Sequence, residues 1–465
     1  MIKGNQATRM IQEEIKNGES DRLEFKRTMP KKDKKVLKTI VAFANGNGGK
    51  VVFGIDDKDQ NVVGVDKTQR ASLQDALTNM ISDSCSPQIQ PTYTWVEYQG
   101  KALLIVDIPA SPACPYYIKS EGVNQGTYIR AGATTRRAEP EKIKELQLYG
   151  ARQTYDATVE HASAPAGTRE LDAVCQAIKE YAGKPKRPIT VNQLEGWGLV
   201  ERHGRKYFPS VAFRLLARND LHFAFIQCAR FKGTDRTEFV DRKTYDGPLY
   251  EQLENAQLFL MQHLTCQTKI NGFRREDDYE IPLPALREAL ANAFVHRNYL
   301  VHGCIQVSVF DNRVEILSPG GLYAHLTVEE MRTGNSRLRN PLLAAVLMRM
   351  NIIEQWGTGI QRMESACRQA GLVAPTYHVT SDSFCVTFGR QIAAKQQAGV
   401  VTQDLSQAEQ EIYCCLMDNP HISVRSISDT IGKSKSTVSR IILKLIQAGM
   451  VARQGNQRNG MWIVK

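Results

Sequence analysis

The sequence has no long hydrophobic run, no zinc-finger cysteine spacing and no P-loop. The longest uninterrupted apolar stretch, Leu342–Met348, is far shorter than the roughly 20 residues that cross a bilayer. No signal-peptide core follows Met1. The ten cysteines form no C-x-x-C pair, and Cys414 and Cys415 are merely adjacent. We therefore expect a cytoplasmic protein with reduced thiols and no membrane partner. The missing G-x-x-x-x-G-K-[ST] loop excludes helicase activity.

Positive charge is concentrated in two segments of the chain. The whole sequence of 465 residues has a net charge of +11 and a pI of about 9.1, which favours a polyanionic partner. Arg22–Lys38 contains eight Lys and Arg against two acids, and residues 421–465 contain eight against Asp429 alone. The net charges are therefore +6 and +7. A solvated surface is the alternative explanation for each segment, but the presence of two such clusters in one chain weighs against it.

The first third of the chain has an α+β pattern of helices and strands. The pattern predicts helices at Gln6–Asn17, Lys34–Ala44, Ser72–Asp83 and Pro140–Tyr149. It predicts strands at Leu23–Lys26, Lys50–Ile55, Tyr93–Tyr98, Ala102–Ile108 and Thr127–Ala131, with a hairpin return at Asn61–Val65. The segments GESDRLEFK, AFANGNGGKVVFGIDD and YIRAGATTRR resemble the AlbA-like, Schlafen-type nucleic-acid-binding domain. The resemblance implies binding of DNA, or of RNA such as tRNA.

Two roles are open for this domain. In the first, basic side chains contact phosphates and position the nucleic acid without reading its sequence; these are Lys26, Arg27, Arg130, Arg136 and Arg137. In the second, the E-x-x-x-x-E-x-K pattern of RNA-cleaving Schlafen proteins matches Glu19, Glu24 and Lys26, with Asp56 as a further acid. Those three carboxylates would hold Mg²⁺ or Mn²⁺ and activate water. Salt bridges from the two glutamates to Lys and Arg are the structural alternative.

A helix predicted at Leu286–Tyr299 carries an acid and an amide on one face. Glu288 and Asn292 are four residues apart, so they lie about one turn from each other. Glu288 is suited to orienting or deprotonating water, and Asn292 to donating a carbonyl oxygen to Mg²⁺. An alternating hairpin, Cys304–Leu322, and a Gly-x-Gly turn that opens a second helix, Glu354–Met363, follow.

This order of helix, hairpin, glycine turn and helix resembles the Bergerat-fold ATPases, which include gyrase B and the histidine kinases. The resemblance implies ATP with Mg²⁺ as cofactor, Glu288 as the catalytic glutamate if the domain is an ATPase, and Asn292 as Mg²⁺ ligand. It assigns nucleotide contacts to Gly320, Gly321, Gly357, Thr358 and Gly359. A divergent subgroup matches further, in NA-x-x-HR-x-Y, PGG, RNP and WGTGI. The family's adenine-binding Asp is absent from Ser318–Gly321, so a scaffold for dimerisation is an alternative.

The last segment predicts a winged helix. Helices are expected at Ala408–Met417, Val424–Ile431 and Lys435–Ala448, and strands at Met450–Arg453 and Met461–Val464. The pattern resembles winged-helix DNA-binding domains of bacterial regulators. The exposed start of the recognition helix would reach base edges through Ser434, Lys435, Ser436, Thr437, Ser439 and Arg440. Arg453 and Arg458 would lie near phosphate in the wing, and protein contacts are the alternative use of this fold.

The sequence therefore predicts an α+β multidomain protein. The predicted parts are an AlbA-like domain (1–155), a linker and mixed α/β region (156–280), a Bergerat-type α/β sandwich (281–390), a linker (391–404) and the winged helix (405–465). We expect a DNA-binding, ATP-responsive transcriptional regulator that acts as a homo-oligomer. The alternative is a metal-dependent Schlafen-like nuclease, an RNase or tRNase, in antiviral defence.

Overall fold

The computed structural model describes most of the chain, and its contacts divide into two compact units. The described residues are 13–28, 34–66, 68, 70–183, 188–218, 220–271, 274–324, 326–353, 359–390, 406–419, 422–447, 451–454 and 461–464. The units are Met1–Gly389 and Arg390–Lys465. In the described ranges, each helix is too short or too polar to cross a membrane. The nine cysteines for which the structure gives a state are free.

The N-terminal third of the first unit is a four-stranded sheet packed on helix α1. Its elements are β1 (Leu23–Lys26), α1 (Lys34–Ala44), β2 (Gly49–Phe53), α2 (Arg70–Ser84), β3 (Cys85–Ser86), β4 (Thr92–Tyr98), β5 (Lys101–Ile108), β6 (Tyr117–Ile118), α3 (Gly122–Gly126), β7 (Tyr128–Ala131), β8 (Thr134–Arg137) and α4 (Pro140–Gly150). The sheet order is β1-β2-β5-β4, with β1 parallel to β2 and the other pairs antiparallel.

Both faces of this sheet are buried because alternate residues of its central strand enter two different cores. Leu104, Val106 and Ile108 of β5 pack with α1, whereas Leu103 and Ile105 pack on the opposite face. Strands buried on both faces are expected to be continuously apolar, as the run ALLIV within β5 is. The larger of the two cores includes the apolar side of α1 and residues as far along the chain as Leu146.

The remainder of the first unit is built on a six-stranded sheet. Its elements are α5 (Thr168–Tyr181), α6 (Val191–Gly196), β9 (Val200–His203), β10 (Lys206–Pro209), α7 (Val211–Ala217), β11 (Ile226–Phe231), β12 (Phe239–Tyr245), α8 (Leu249–His263), β13 (Cys266–Asn271), β14 (Arg274–Tyr279), α9 (Leu283–Val295), β15 (Ile305–Val309), β16 (Arg313–Pro319), α10 (Val328–Arg332), α11 (Pro341–Arg349), α12 (Gly359–Gln369), β17 (Thr376–Val379) and β18 (Ser383–Gly389). The order is β12-β11-β15-β16-β18-β17. Strand β11 pairs in parallel with β15, so the sheet extends N-terminal of residue 281.

Buried polar contacts join the two parts of the first unit. Arg339 donates from Nε to Glu145 Oε1 over 3.2 Å, and both side chains are at most 10% exposed. The backbone amide of Leu343, in the first turn of α11, donates to Asp156 Oδ2 over 2.9 Å. A carboxylate at a helix N-terminus is favourable because it pairs with amides that have no partner in the helix. The Arg339–Glu145 contact crosses the predicted boundary at residue 155.

The second unit has the predicted winged-helix elements. They are α13 (Gln407–Asp418), α14 (Val424–Ile431), α15 (Lys435–Gln447), β19 (Val451–Gln454) and β20 (Met461–Val464). Apolar residues at helical spacing on α15 enter the core with Trp462, and they are Val438, Ile441, Ile442 and Leu445. Gly432 ends α14 in the left-handed region, at a φ of 65°.

Several sequence expectations differ from the structure. Helix α9 ends at Val295 rather than Tyr299, because Arg297 and Tyr299 turn inward to bond backbone carbonyls. The expected return strand at 61–65 is reduced to a single bridge between Ile55 and Val62. Strands β8, β13 and β14 were not expected, since TTRR, CQTKIN and RREDDY are polar. Of the helix expected at Gln6–Asn17, residues 6–12 lie outside the described residues.

Candidate nucleotide pocket and nucleic-acid interfaces

A cavity of about 500 Å³ lies beside helix α9 in the first unit. Its lining combines α9 with the end of β16, the segment before α11 and the start of α12. Glu288, Asn292, Gly320, Gly321 and Gly359 all line it. The volume falls within the range of about 300–1,000 Å³ that is usual for small-molecule sites.

Glu288 and Asn292 contact each other at this cavity. The Asn292 amide nitrogen donates to Glu288 Oε1 over 3.0 Å, as the one-turn spacing predicted. The other carboxylate oxygen, Oε2, lies 3.6 Å from Arg362 Nη2 on α12. Because the bond to Glu288 uses the nitrogen of Asn292, its side-chain carbonyl oxygen is the atom suited to a cation.

Gly359 allows α12 to begin close to Glu288. A Cβ atom at Gly359 would lie 1.8 Å from Glu288 Oε1, so any other residue there would displace the carboxylate. Gly357 and Thr358, the other expected glycine-turn contacts, lie outside the described residues. The described part of the turn therefore places a helix start beside the pocket acid.

Gly320 and Gly321 line the cavity, but their amides are engaged within the protein. The Gly320 amide donates to Asp382 O over 2.7 Å, and the Gly321 amide to Ser381 O over 3.3 Å. A Cβ at Gly321 would lie 2.3 Å from the Thr380 carbonyl oxygen. These glycines permit close packing of β16 on the loop before β18, and their contribution to the pocket is shape. Ser318, beside them, donates its hydroxyl to Ala293 O over 2.8 Å.

The RNP segment, Arg339–Pro341, makes contacts at the pocket and at the end of α9. The sequence by itself had indicated no role for these residues. Arg339 donates to His296 O over 2.6 Å and to Gly321 O over 2.9 Å. Asn340 donates to Val295 O over 2.8 Å and to Arg297 O over 2.7 Å, which satisfies carbonyls at the end of α9. Burial, together with the Arg339 charge, lowers the pKa of His296 to about 4, so this imidazole is neutral near pH 7.

The N-terminal acids Glu19, Glu24 and Asp56 have separate partners. Glu19 Oε1 accepts from the Phe25 amide over 2.9 Å, and burial, reinforced by the Glu24 charge, raises the pKa of Glu19. Asp56 accepts from the Lys58 amide and from Arg27 Nη1, at 3.0 and 3.2 Å, which lowers its pKa. Within the described ranges, none of the three belongs to a group of three metal-type ligands whose atoms lie within 4.8 Å of one another.

Glu24 is held by two cations that had been expected to meet phosphate. Its Oε1 accepts from Lys26 Nζ over 2.7 Å, and its Oε2 accepts from Arg130 Nη1 over 3.0 Å. Arg130 also donates to Ser20 O over 2.6 Å and is only 6% exposed. A guanidinium enclosed in this way is already paired, so Arg130 has a structural role in this conformation.

The cations that remain on the surface of this domain are fewer than expected. Arg27 is 64% exposed and pairs with Asp56. Arg136 and Arg137, on the short strand β8, are both exposed. The structure therefore leaves Arg27, Arg136 and Arg137 as the accessible members of the expected phosphate-binding set.

Asn45 explains part of the AFANGNGG motif in structural terms. Its amide nitrogen donates to the carbonyls of Tyr116 and Tyr128, at 2.7 and 3.0 Å, and its oxygen accepts from the Tyr116 amide at 2.7 Å. A buried asparagine with these bonds joins the end of α1 to strand β7 and to the residue that precedes β6. Gly48 lies in the left-handed region at a φ of 72°, where a Cβ would also meet Ile108 O at 2.7 Å.

The recognition helix α15 exposes the residues expected to face DNA. Ser434 caps the helix by accepting from the Thr437 amide over 3.2 Å. Thr437 is partly buried, and the exposed members of the set are Ser434, Lys435, Ser436, Ser439 and Arg440. Arg453 of β19 is exposed, and its guanidinium lies 4.6 Å from the centre of the Trp462 ring. Arg458 lies outside the described residues.

Three family models match separate segments of the chain. Residues 19–139 match "Schlafen, AlbA_2", and residues 405–452 match "Winged helix-turn-helix DNA-binding". Residues 302–388 match "Putative ATP-dependent DNA helicase recG C-terminal". That segment begins after α9, so Glu288 and Asn292 lie outside it.

Two individual proteins are similar to this chain, one over a short segment and one over most of its length. An uncharacterized ATP-binding protein of Ureaplasma parvum is 30% identical over 90 residues, which is 19% of this chain and 25% of that protein. The match therefore spans about a quarter of the relative's length. The solved DIP2311 protein of Corynebacterium diphtheriae is 20% identical with a TM-score of 0.42, over 96% of this chain and 92% of that one.

A solution structure matches a smaller share of the chain. The N-terminal domain of a RecG-related protein from Nitrosomonas europaea is 28% identical with a TM-score of 0.22, over 29% of this chain and 93% of that one. Together, the three matched segments and the fold show one combination of modules. The chain unites a Schlafen-type AlbA_2 domain, a domain of the recG C-terminal HATPase type and a winged helix-turn-helix DNA-binding domain.

Proposed function

We propose that this protein is a transcriptional regulator whose binding to DNA responds to a nucleotide. The observation that carries the proposal is the exposed, basic start of α15 on a fully formed winged-helix core. Lys435 and Arg440 carry positive charge there beside hydroxyl groups of Ser434, Ser436 and Ser439. Arginine and lysine recognise guanine edges, and serine hydroxyls bond to either bases or phosphates.

The proposal predicts that affinity for DNA falls steeply as the salt concentration rises. The segment 421–465 has a net charge of +7, and each phosphate that a protein neutralises releases counterions. Arg136 and Arg137 on β8 provide a second set of exposed cations for nucleic acid. The proposal includes a cytoplasmic homo-oligomer, since winged-helix regulators commonly bind symmetric sites as dimers.

The cavity beside α9 is the proposed nucleotide site. Its volume of about 500 Å³, its acid–amide pair and the helix start at Gly359 fit a nucleotide that carries Mg²⁺. The ATP-binding relative from Ureaplasma parvum supports the same choice of ligand. Asn292 would hold the Mg²⁺ ion through its carbonyl oxygen, and that ion would supply charge neutralisation at the phosphates.

Binding rather than hydrolysis is the proposed use of this pocket. Asn292 donates to Glu288, and Arg362 lies near the same carboxylate, so both groups orient it. Glu288 is the one acid among the described lining residues, and Ser318 donates to a backbone carbonyl. Recognition of the base therefore relies on shape and on apolar residues such as Ile316 and Phe384. A ligand that prefers one conformation shifts the population toward it and thereby changes DNA affinity.

The test measures binding of a duplex selected from a random pool, with and without ATP and Mg²⁺. Arg440→Ala is expected to weaken binding by roughly 5- to 100-fold, as loss of a base-edge contact does. Arg169→Ala removes the same charge from an exposed position of α5 and is the matched control. Glu288→Gln with Asn292→Ala is expected to keep DNA binding and abolish the response to ATP.

Two results would contradict the proposal. Equal affinity of the Arg440→Ala and Arg169→Ala variants would remove α15 from the DNA interface. Metal-dependent cleavage of tRNA or single-stranded DNA, lost in Glu19→Ala/Glu24→Ala, would favour the nuclease instead. Cleavage would also require Glu24 to leave Lys26 and Arg130, to which it is bonded here.

A further inference from the structure

Two histidines and a glutamate converge on the surface of the first unit, away from the α9 pocket. His203 Nε2 lies 2.7 Å from Glu201 Oε1, and His161 Nε2 lies 3.6 Å from Glu201 Oε2. One ligand atom from each residue falls within 4.8 Å of the other two. The residues are about half exposed, so an ion in solution reaches them directly.

We propose that His161, Glu201 and His203 form a binding site for Zn²⁺ or a similar first-row transition metal ion. Two imidazole nitrogens and one carboxylate oxygen are a common three-ligand set for zinc. Tetrahedral ligation at about 2.0–2.2 Å places ligand atoms roughly 3.3 Å apart. The two Glu201 contacts, 2.7 Å to Oε1 and 3.6 Å to Oε2, lie on either side of that separation. The fourth position is open to water because the site lies on the surface.

The backbone around this site is fixed by strand pairing. Glu201 and His203 are alternate residues of β9, so their side chains leave the same face. Strand β10 pairs with β9 and places Phe208 opposite Glu201. The Phe208 ring centre lies 5.4 Å from that of His161 and 5.5 Å from that of His203, so the ring forms an apolar support for both imidazoles.

His161 reaches the hairpin from a loop that is anchored at both ends. The Val211 amide donates to Thr158 O over 3.0 Å, and the Ala166 amide donates to Tyr207 O over 2.8 Å. An isolated bridge between Val159 and Ser210 adds a third attachment. The metal would therefore fasten the loop after residue 157 to the β9–β10 hairpin.

The chemistry of the ligands separates this site from the Mg²⁺ proposed at Asn292. Imidazole nitrogen suits zinc, copper and nickel, whereas Mg²⁺ prefers oxygen ligands and retains its water. Lys206 faces His203 across the hairpin and is exposed, so its charge opposes cation binding on this face. Removal of that charge is expected to strengthen binding.

The test is isothermal titration of metal-free, untagged full-length protein with Zn²⁺ in the presence of excess Mg²⁺. The expected result is one equivalent that is lost in both His161→Ala and His203→Ala. Loss of a ligand is expected to weaken binding by more than the roughly 10- to 100-fold that outer-shell changes cost. Lys206→Gln is expected to bind several-fold more tightly.

His222→Ala is the matched control, because His222 is exposed and lies outside the cluster. Co²⁺ provides a second readout, since the site should give weak visible bands of tetrahedral cobalt without strong thiolate absorption. Zn²⁺ binding that is equal in wild type, His161→Ala and His203→Ala would overturn the proposal. So would the absence of saturable binding up to about 1 mM Zn²⁺.

Discussion

Glu24 and Glu288 are both acids of recognisable motifs, but their surroundings differ. Glu24 lies between Lys26 and Arg130, each bonded to one of its oxygens, and its side chain is 13% exposed. Glu288 contacts an amide and lies near one arginine, and it borders a cavity of about 500 Å³. One carboxylate is neutralised within the protein, and the other faces space for a ligand.

The difference separates a motif whose acid is paired within the fold from one whose acid lines a cavity. A carboxylate paired with buried cations contributes to folding, and breaking such a pair is costly. A carboxylate beside a cavity contributes little to folding and is available for binding. We therefore expect substitutions around the two acids to change the free energy of unfolding by different amounts.

The largest effect is expected from Arg130→Met. It leaves Glu24 with one cation and removes the bond to Ser20 O, so we expect a loss of about 3 kcal/mol in the free energy of unfolding. Urea unfolding followed by circular dichroism measures this loss. Arg137→Met, at an exposed position of β8, should stay within about 0.5 kcal/mol of wild type.

Glu288→Gln is the matching change in the other region. It should also stay within about 0.5 kcal/mol of wild type in the same urea series. The comparison between the two acids would fail if Glu288→Gln destabilised the protein as much as Arg130→Met does.

A pair of glycine substitutions is expected to have the next largest effects. Gly321→Ala forces a Cβ to within 2.3 Å of a backbone carbonyl, so we expect a loss of about 1–3 kcal/mol in stability. Gly359→Ala meets only the end of the Glu288 side chain, which can rotate away. Its loss of stability should be below about 1 kcal/mol.

Gly359→Ala is also expected to change the affinity for nucleotide. Displacement of the Glu288 carboxylate in Gly359→Ala should weaken ATP–Mg²⁺ binding by about tenfold, measured by calorimetry. A variant that is strongly destabilised but retains full affinity would show that Gly359 serves packing alone.

The smallest effect is expected at a third carboxylate, Glu409, in the second unit. Bonds from Lys444 Nζ at 2.7 Å and from Ser406 lower its pKa from 4.5 to about 2. Because the folded pKa is below the unfolded one, the stabilisation is present above about pH 4.5 and is lost as pH falls toward 2.

Fluorine NMR of 5-fluorotryptophan at Trp462 reports unfolding of this unit across that pH range. Glu409→Gln should be less stable than wild type at pH 7 and should lose less stability on acidification. Parallel pH profiles for the two proteins would show that the Lys444 contact contributes nothing to folding.

Local patterns were sufficient for most of the secondary structure. The predicted bounds of β1, α1, α14 and β20 agree with the structure, because each has a clear apolar period and polar ends. The pair Glu288–Asn292 and the apolar side of α15 follow from helical spacing in the same way. Strands β8, β13 and β14 could not be predicted, since tertiary pairing holds polar sequences extended.

The amino-acid sequence by itself determined the modules, the acid–amide pair on α9 and the apolar side of α15, because these follow from local sequence patterns. The tertiary structure decided the rest. It paired Arg130 with Glu24 across more than a hundred residues, and it engaged the Gly320 and Gly321 amides with the loop before β18. It also brought His161 to Glu201 and His203. Long-range partners are set by how the sheets and loops pack, and no local period records that packing.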